Sequence, residues 1–299
     1  WQNMRYEAQL HFKQKEISHN LKNFTGMIIP EIDQIHAAPK PYFYRNKMEY
    51  AFSNQRWLTS EEIANKSLPI QKKGLGFHKA GMWDKVVDIQ QCHLQPEPAN
   101  EIRNAIKTFA LEYGLDFFNA REQKGFLRSL MIRNSSNGEI MVLIQFFKEN
   151  KVQRIALLEH LKKYFDITSL LYCINSKAND TLYDQKIICY DGNTFITEEM
   201  EGLNFKINAK SFFQTNTEQS YELYKITREF SGLKGKELVY DLYTGTGTIA
   251  QFIAKDCKKI IGVESVPEAI EAAYTNAKEN GIKNAFFEVG DMRRVFNQD

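Results

Sequence analysis

The feature that most constrains this chain is a glycine-rich stretch near its C-terminal end. Residues 237–242 form a short, largely apolar run typical of a buried strand, Gly245 and Gly247 permit a tight turn, and residues 248–254 can begin a helix. A strand, a glycine-rich turn and a helix place backbone N–H groups where they can face a ligand. A second apolar run ends in Glu264, roughly twenty residues further on, as expected of the ribose-binding acid in nucleotide-binding βαβ units. We therefore predict an α/β nucleotide-binding fold in this part of the chain.

The identity of the nucleotide depends on Asp241. Gly245, Gly247 and Ala250 also satisfy the dinucleotide-binding fingerprint, which alone is a weak signal. An ionised carboxylate at this turn would repel a pyrophosphate, but it suits a ligand that carries an ammonium and a sulfonium, as S-adenosylmethionine does. The pattern therefore favours S-adenosylmethionine. A glycine loop that only connects a strand to a helix is the alternative without a ligand.

Composition limits the remaining possibilities. At 299 residues the chain is long enough for two domains, each with its own core. Its 39 basic and 37 acidic residues give a net charge of +2, which neither favours nor excludes nucleic acid as a partner. No apolar run approaches the length of a membrane span, and the first residues do not resemble a signal peptide. The four cysteines are scattered without a Cys-x-x-Cys pair, which indicates reduced thiols in a cytoplasmic protein.

The order of apolar periods and turns predicts three segments. Residues 1–38 are expected to form an amphipathic helix and a linker. Residues 39–203 predict an α+β domain of hairpins and two helices, in which Asn137-Gly138 is the strongest hairpin signal. Residues 204–299 then carry the nucleotide-binding unit.

One expected strand of the central domain mixes basic and aromatic residues. Arg45, Lys47 and Glu49 alternate with Asn46 and Met48 in the two-residue period of a strand. Basic side chains among aromatic ones can hold a phosphate backbone and stack bases, so Arg45 and Lys47 are candidate RNA contacts. A half-buried strand with a solvated, charged face explains the same alternation without RNA.

The segment before the glycine-rich unit is also informative. The planar amide of Gln214 offers donors and an acceptor, which suits the edge of a uracil or an amino-acid moiety, although an exposed polar loop residue is the alternative. Asn216 is placed to cap a helix over residues 217–230. Leu223, Ile226 and Phe230 are spaced to pack on one face of that helix.

Taken together, these motifs resemble the RNA (uracil-5-)-methyltransferase family, which makes 5-methyluridine in ribosomal and transfer RNA. The resemblance is carried by Phe213-Gln-Thr-Asn216, Asp241-Leu-Tyr-Thr-Gly-Thr-Gly247, Gly262-Val-Glu264, residues 269–281, Tyr44-Arg-Asn-Lys-Met-Glu49 and Val87-Asp-Ile-x-x-Cys92. It spans nearly the whole chain, and the ordered set is far more specific than any single motif. Thr244 departs from the family, in which many members have Cys at that position. The branch that modifies ribosomal RNA is more similar than the transfer-RNA branch.

The resemblance implies a fold, a methyl donor and a substrate. The fold is a Rossmann-like, class I methyltransferase domain, incomplete at its C-terminus, preceded by the central α+β domain. The donor is S-adenosylmethionine and the substrate is RNA, ribosomal in preference to transfer RNA. The implied donor-binding residues are Gln214, Asp241, Tyr243, Gly245, Gly247, Thr248, Glu264 and Asp291. The implied RNA contacts are Arg45, Lys47 and Gln214.

Some of these residues acquire individual roles from the resemblance. Gln214 lines both the donor site and the target-base site, and Tyr243 lies beside the adenosyl group. Thr248 belongs to the turn that faces the donor, and Glu264 accepts hydrogen bonds from the ribose hydroxyls. Asp291 occupies a polar position near the adenine, although a lone Asp after a strand is usually only a turn residue.

The family chemistry requires residues that this chain does not contain. In the family a cysteine thiolate adds to C6 of a flipped uracil, C5 then attacks the donor methyl, and a glutamate acts as the base that removes the C5 proton. The nucleophile lies in Ser-Cys-Asn-Pro, and none of the four cysteines here is followed by Asn-Pro. We therefore expect the nucleophilic cysteine and the glutamate base to lie beyond Asp299. We also expect weak donor binding at most, and no methylation by this chain on its own.

The resemblance also implies a role for Cys92. It matches one ligand of the family's [4Fe–4S] cluster, but Cys173, Cys189 and Cys257 do not offer the spacing of the other ligands. A cluster is therefore expected only of a longer parent, and a small buried thiol is the alternative for Cys92. For the parent we expect a cytoplasmic monomer without membrane contact.

Three other functions fit parts of the sequence. They are a Rossmann-like methyltransferase of another substrate class, an RNA-binding module without catalysis, and a dinucleotide oxidoreductase. The residues from Phe212 to Asn216, together with the basic-aromatic strand, favour RNA uracil methylation over a methyltransferase of another substrate class. A mobility-shift assay with and without donor would discriminate the RNA-binding module, and a fluorescence titration with NAD(P)H would test for the oxidoreductase.

Overall fold

The computed structural model describes residues 1–24, 28–65 and 70–291. Its helices are α1 (Tyr6–Lys22), α2 (Ser60–Ala64), α3 (Ala99–Glu112), α4 (Lys151–Tyr164), α5 (Thr217–Ser231), α6 (Thr248–Ile253) and α7 (Pro267–Glu279). Its strands are β1 (Lys47–Ser53), β2 (Gly74–His78), β3 (Val86–Asp88), β4 (Leu127–Asn134), β5 (Ile140–Phe146), β6 (Ser169–Ile174), β7 (Ile188–Gly192), β8 (Phe195–Met200), β9 (Leu203–Asn208), β10 (Leu238–Leu242), β11 (Lys259–Glu264) and β12 (Ala285–Val289). No helix of the described ranges is both long enough and apolar enough to cross a membrane.

A seven-stranded sheet, ordered β3-β2-β1-β4-β5-β6-β7, forms the centre of the first two thirds of the chain. β4 and β5 are joined by the predicted hairpin, in which the Gly138 N–H donates to Ser135 O (3.1 Å). Every residue of β5 is buried, which explains why this strand is a continuous apolar run rather than an alternating one. α4 then carries the chain across to β6, which pairs with β5 in parallel.

The two faces of the central strands belong to different apolar clusters. Val142 and Ile144 of β5 pack in a cluster with buried side chains of α3 and α4. Met141 and Leu143, which point to the other face, pack in a second cluster that contains the β8–β9 hairpin and the C-terminal sheet. The central sheet therefore serves as a wall shared by both halves of the chain.

The β8–β9 hairpin was not among the sequence predictions. It spans residues 203 and 204, where the boundary between the two domains was expected, and its buried side chains join the second cluster. Glu201 in its turn fastens the hairpin to the C-terminal half. This carboxylate accepts hydrogen bonds from Arg228 of α5 (2.7 and 2.9 Å), from Tyr221 (2.9 Å) and from Lys255 (3.0 Å).

The C-terminal part confirms the predicted α/β unit. β10, β11 and β12 form a parallel sheet in that order, with α6 and α7 as crossovers. Phe252 of α6, Ile260 of β11 and Phe287 of β12 are buried between the sheet and the helices. This arrangement brings the carboxyl ends of all three strands to one edge. Asp299, beyond which we expect the nucleophile and the base, lies outside the described residues, so their position stays a prediction.

The expected packing of α5 was wrong. Leu223 and Phe230 are 49% and 75% exposed and Ile226 is half-buried, whereas Ser220 and Tyr224 are the buried residues of the helix. The physical reason is that α5 packs on α6 through Tyr224, whose ring contacts that of Phe252 (5.8 Å between centroids). The larger aromatic contact fixes the helix rotation, and the aliphatic stripe consequently faces away.

Glu201 offers a test of how the hairpin is attached. Hydrogen bonds from Arg228 lower the pKa of the Glu201 carboxyl to about 2, and Lys255 and Tyr221 add to the effect. Glu201→Gln should lower the free energy of unfolding at neutral pH by about 1–2 kcal/mol, because hydrogen bonds to a charged group are lost.

The stabilisation contributed by the Glu201 carboxylate depends on pH. A glutamate in the unfolded chain titrates near pH ~4.3, so the stabilisation is complete above that pH and is lost as the pH falls toward 2. Urea unfolding across this range should show the variant and the wild type converging. Glu199→Gln, which alters an exposed carboxylate of β8, is the matched control and should have little effect. A deficit that persists unchanged at low pH would contradict the assignment.

Candidate nucleotide and base site

The candidate site lies at the carboxyl edge of the three-stranded sheet. Asp241 pairs in register with Gly262, and Glu264 with Val289, so the two acids end neighbouring strands. The Gly290 N–H donates to Glu264 O (2.9 Å), which places the following residue, Asp291, at the same edge. Open parallel sheets bind ligands at this edge.

Asp241 holds the glycine turn together. Its Oδ2 accepts hydrogen bonds from Thr244 Oγ1 (2.6 Å) and from the Ala250 N–H (3.1 Å). Burial raises the pKa of the Asp241 carboxyl, and these two hydrogen bonds oppose the shift. Asp241 thus has a defined structural role, in addition to the donor-binding role predicted for it.

The turn itself uses left-handed backbone at several positions. Tyr243 has φ +62° and is 77% exposed, which is an unusual conformation for a residue with a side chain. A Cβ on Gly247 (φ +73°) would lie 2.6 Å from the Phe287 ring, so both conformation and packing require glycine there. A Cβ on Gly245 (φ +56°) would meet nothing within 4 Å, so this residue borders open space. Thr248 is buried at the start of α6, and its Oγ1 lies 3.4 Å from Thr246 Oγ1.

Glu264 lies across this open turn. Its Oε2 accepts a hydrogen bond from the Gly245 N–H (3.3 Å), and its Oε1 accepts from the backbone of Ser265 (2.7 Å) and Val266 (3.1 Å). Ser265 Oγ also donates to Oε1 (3.0 Å), so Oε1 accepts three hydrogen bonds and only Oε2, which accepts one, has room for another donor. Glu264 and the glycine turn are therefore brought together as predicted from their spacing.

The backbone of Gln214 is fixed by the residue that precedes β1. Asn46 Nδ2 donates to Gln214 O (2.9 Å) and to Thr217 Oγ1 (2.8 Å), and the Asn46 N–H donates to Thr215 O (2.8 Å). The side-chain amide of Gln214 is half-buried and has no hydrogen-bond partner among the described residues. The amide groups are thus available to a ligand, while the main chain is held in place.

Two buried charged residues complete this clamp. Glu198 of β8 accepts hydrogen bonds from Thr217 Oγ1 (3.1 Å) and from the backbone and hydroxyl of Ser136. Arg133 of β4 donates to Ser211 O (2.6 Å), and burial lowers the pKa of its guanidinium to about 10. Burial likewise raises the pKa of Glu198. We refer to residues 211–217, held in this way, as the Gln214 segment.

The sequence did not identify Asn46, Arg133 or Glu198 as site residues. Glu198 gives the one local signal, because it occupies an inward position between buried Ile196 and Met200 of an alternating strand. A buried acid in that pattern requires partners, but the sequence does not say which.

The N-cap of α5 confirms another prediction and connects the segment with the turn. Asn216 Oδ1 accepts from the Gln219 N–H (3.1 Å) and so caps α5. Tyr224, two helical turns further on, is close enough to Asp241 for that charge to contribute, after burial, to raising the pKa of Tyr224 to about 12. The helix therefore links the Gln214 segment to the strand that bears the glycine turn.

The predicted RNA contacts lie at the start of β1. Met48 and Tyr50 are buried and Glu49 is exposed, which confirms the predicted alternation. Lys47 Nζ forms an ion pair with Glu49 (2.5 Å), which partly neutralises its charge. Arg45 Nε donates to Lys47 O (3.0 Å). The backbone of Arg45 forms an isolated antiparallel β-bridge with Asn216 in the Gln214 segment.

Cys92 lies apart from this site. It is buried, and its backbone exchanges hydrogen bonds with the Asn100 amide (2.7 and 3.2 Å). Within residues 1–24, 28–65 and 70–291, no three His, Cys, Asp or Glu side chains are grouped to hold a metal ion. The role of Cys92 as a cluster ligand in a longer parent therefore stays a prediction.

The comparisons with known proteins agree with this geometry. A family model described as a methyltransferase domain matches residues 233–299. A relative from Bacteroides thetaiotaomicron, described as an uncharacterized RNA methyltransferase, is 48% identical across the whole of this chain, which covers 67% of the relative. A similarly described relative from Porphyromonas gingivalis is also 48% identical, with 66% of its length covered.

One solved structure resembles the chain over most of its length. It is the tRNA (uracil-54, C5)-methyltransferase of Pyrococcus abyssi in complex with S-adenosyl-L-homocysteine, with 28% identity and a TM-score of 0.74. The match covers 98% of this chain and 65% of that one. The chain thus spans about two thirds of the length of the proteins it matches.

The parallel sheet, its glycine turn and the matched domain define a Rossmann-like methyltransferase, which confirms the predicted fold class. The identity to the two bacterial relatives places the chain more narrowly. It belongs to a family of RNA methyltransferases, and the resemblance noted in the sequence is confirmed.

The two glycines of the turn should respond differently to the same substitution. Gly247→Ala should lower the free energy of unfolding by about 3 kcal/mol, because left-handed strain adds to a clash with Phe287. Gly245→Ala should cost only the strain, about 1 kcal/mol, because its Cβ would enter open space. Denaturant unfolding of the two variants measures the difference. Equal losses would show that the packing of the turn is not as described.

Proposed function

We propose that the whole protein transfers a methyl group from S-adenosylmethionine to C5 of a uracil in RNA. The observation that carries the proposal is the Gln214 segment, in which the main chain is clamped while the amide keeps its donors and acceptor unused among described residues. A uracil edge presents both acceptors and a donor, so an amide fixed in this way can recognise it. The Pyrococcus abyssi neighbour is a uracil C5 methyltransferase that was solved with S-adenosyl-L-homocysteine, and this supports the proposal.

The residues at the sheet edge fit the methyl donor. The open space at Gly245 lets a ligand approach the backbone, and Oε2 of Glu264, which accepts one hydrogen bond, can accept another from a ribose hydroxyl. Tyr243, exposed beside the turn, offers an aromatic face to the adenosyl group. When bound, the donor supplies an electrophilic methyl group, and the chain's own residues orient it.

The four thiols in the described structure are poorly suited to attack C6 of the uracil. Cys92, Cys173 and Cys257 are buried. Burial raises the pKa of the Cys173 thiol to about 12 and also raises the pKa values of Cys189 and Cys257. A nucleophilic cysteine needs a lowered pKa and access to its substrate. We therefore assign the covalent step to a cysteine of the whole protein beyond Asp299, and we propose that this chain alone does not methylate.

The substrate could be ribosomal or transfer RNA. The relatives are described only as RNA methyltransferases, and the solved neighbour acts on transfer RNA. We retain ribosomal RNA as the preferred substrate, because the sequence motifs resemble that branch more closely. We accordingly propose that the protein acts in the cytoplasm.

Tritium release tests the reaction directly. RNA labelled with tritium at C5 of uridine should release one tritium for each methyl group transferred, because methylation replaces that hydrogen. Undermodified ribosomal and transfer RNA form two arms, and the ribosomal arm should react with the whole protein. Residues 1–299 alone should release none. Methyl transfer without tritium release would remove C5 as the target, and RNA binding without transfer would favour a non-catalytic module.

Gln214 and Asn46 separate recognition from positioning. In the whole protein, Gln214→Ala should reduce kcat at least ~100-fold, since an unpaired uracil edge raises the barrier by a few kcal/mol. Asn46→Ala should reduce kcat less, about 10-fold, because the segment loosens while the amide remains. Gln91→Ala, which removes an exposed amide elsewhere, is the matched control. Full activity of Gln214→Ala would remove Gln214 from the site.

A further inference from the structure

Two exposed tryptophans lie beside the β2–β3 hairpin of the central domain. Trp83, in the loop between these strands, is 64% exposed, and Trp57, after β1, is 37% exposed. The Trp57 N–H donates to Val86 O (2.7 Å), which fixes the loop after β1 against the hairpin. The surface comprises Trp57, Lys79, Trp83, Lys85 and Arg121, and we call it the tryptophan surface.

Cationic groups border both indoles. Nζ of Lys79 and Nζ of Lys85 lie 5.3 and 5.5 Å from the centroid of the Trp57 ring. Neither ammonium forms an ion pair within the described residues, and the neighbouring Asp84 pairs with Arg121 instead (2.5 Å). The guanidinium of Arg121 in turn lies 6.0 Å from the centroid of Trp83. Two lysine charges are therefore held over the Trp57 ring, with no described carboxylate at ion-pair distance.

The local charge differs from that of the whole chain. Residues 71–85 contain four lysines and a single acidic residue, whereas the complete chain has a net charge of +2. Exposed aromatic rings on which bases stack, bordered by cations that contact the backbone, are the features that bind single-stranded nucleic acid. An unpaired strand of RNA matches both features, whereas the stacked bases of a duplex cannot reach an indole.

β1 connects this surface to the candidate site. Asn46, just before β1, contacts Gln214, whereas Ser53 at the other end of β1 donates to Asp84 O (3.1 Å). The six steps from Lys47 to Ser53 correspond to about 20 Å. An extended single strand that enters the candidate site therefore reaches the tryptophan surface several nucleotides away.

Resting on the proposed RNA substrate, we propose that the tryptophan surface binds single-stranded RNA several nucleotides distant from the target uridine. A base stacks on Trp83, and Lys79 and Lys85, which Trp57 holds in place, contact the phosphates. The surface thus extends recognition beyond the modified base and selects unpaired RNA.

Fluorescence anisotropy with a short, labelled oligouridylate tests the proposal in the whole protein without donor. Trp57→Ala and Trp83→Ala should each weaken binding about 10-fold, and Trp83→Phe should recover most of the loss. Replacing both Lys79 and Lys85 with Ala should reduce the slope of log K against log salt by about 0.7 for each lysine. Trp1→Ala is the matched control, because Trp1 is exposed but has no cation over its ring in the described part of the chain.

The folding of each variant and its affinity for single-stranded and duplex RNA decide whether the tryptophan surface binds single-stranded RNA. Circular dichroism confirms that each variant is folded, and the lysine variants test the same surface without removing an aromatic side chain. Wild-type affinity in both Trp→Ala variants would overturn the proposal, as would an equal loss of affinity for a matched RNA duplex. Because the assay contains no donor, weakened binding together with a failed tritium-release assay would keep the surface and remove only the uracil chemistry.

Discussion

The carboxylate of Asp241 closes the turn on which the candidate site depends. By accepting hydrogen bonds from Thr244 and from the Ala250 N–H, it ties the end of β10 to the first turn of α6. The chain between these points can then adopt left-handed backbone at Tyr243, Gly245 and Gly247. That conformation leaves open space at Gly245, opposite Glu264. Without this carboxylate, the strained residues between strand and helix would lose their tie to the first turn of α6, although the Thr244 N–H would still donate to Val263 O (3.0 Å).

A second constraint joins the two halves of the chain. The hydrogen bond from Asn46 to Gln214 O connects residues that are 168 positions apart. Arg133 and Glu198 reach the same segment from the central sheet and from the β8–β9 hairpin. Buried charges are costly to leave unpaired, so this network specifies one position for the segment. The central domain, for which we propose an RNA contact, thus also sets the position of the Gln214 main chain.

Local patterns predicted the elements whose signals are local. The alternation around Met48 and Tyr50 predicted β1, and Asn137-Gly138 predicted the β4–β5 hairpin. The strand, glycine turn and acid predicted the edge at which Asp241 and Glu264 meet. These features depend on backbone sterics and a two-residue period, which a single sequence displays.

The remainder depends on contacts between distant residues. The β8–β9 hairpin was missed because an inward-facing Glu198 interrupts its apolar alternation, and its partners Ser136 and Thr217 lie far from it in sequence. The rotation of α5 was wrong because Tyr224 packs on Phe252, whereas the aliphatic spacing alone pointed to another face. For the same reason, the sequence predicted Gln214 as a site residue but gave no indication of what fixes it.

A structure of the whole protein with S-adenosylhomocysteine and a uridine-containing RNA tests the central claim most directly. We expect a ribose hydroxyl within about 3 Å of Glu264 Oε2, and the Gln214 amide at a similar distance from the target uracil. A donor bound away from Gly245 and Glu264, or a Gln214 side chain directed away from the base, would contradict it.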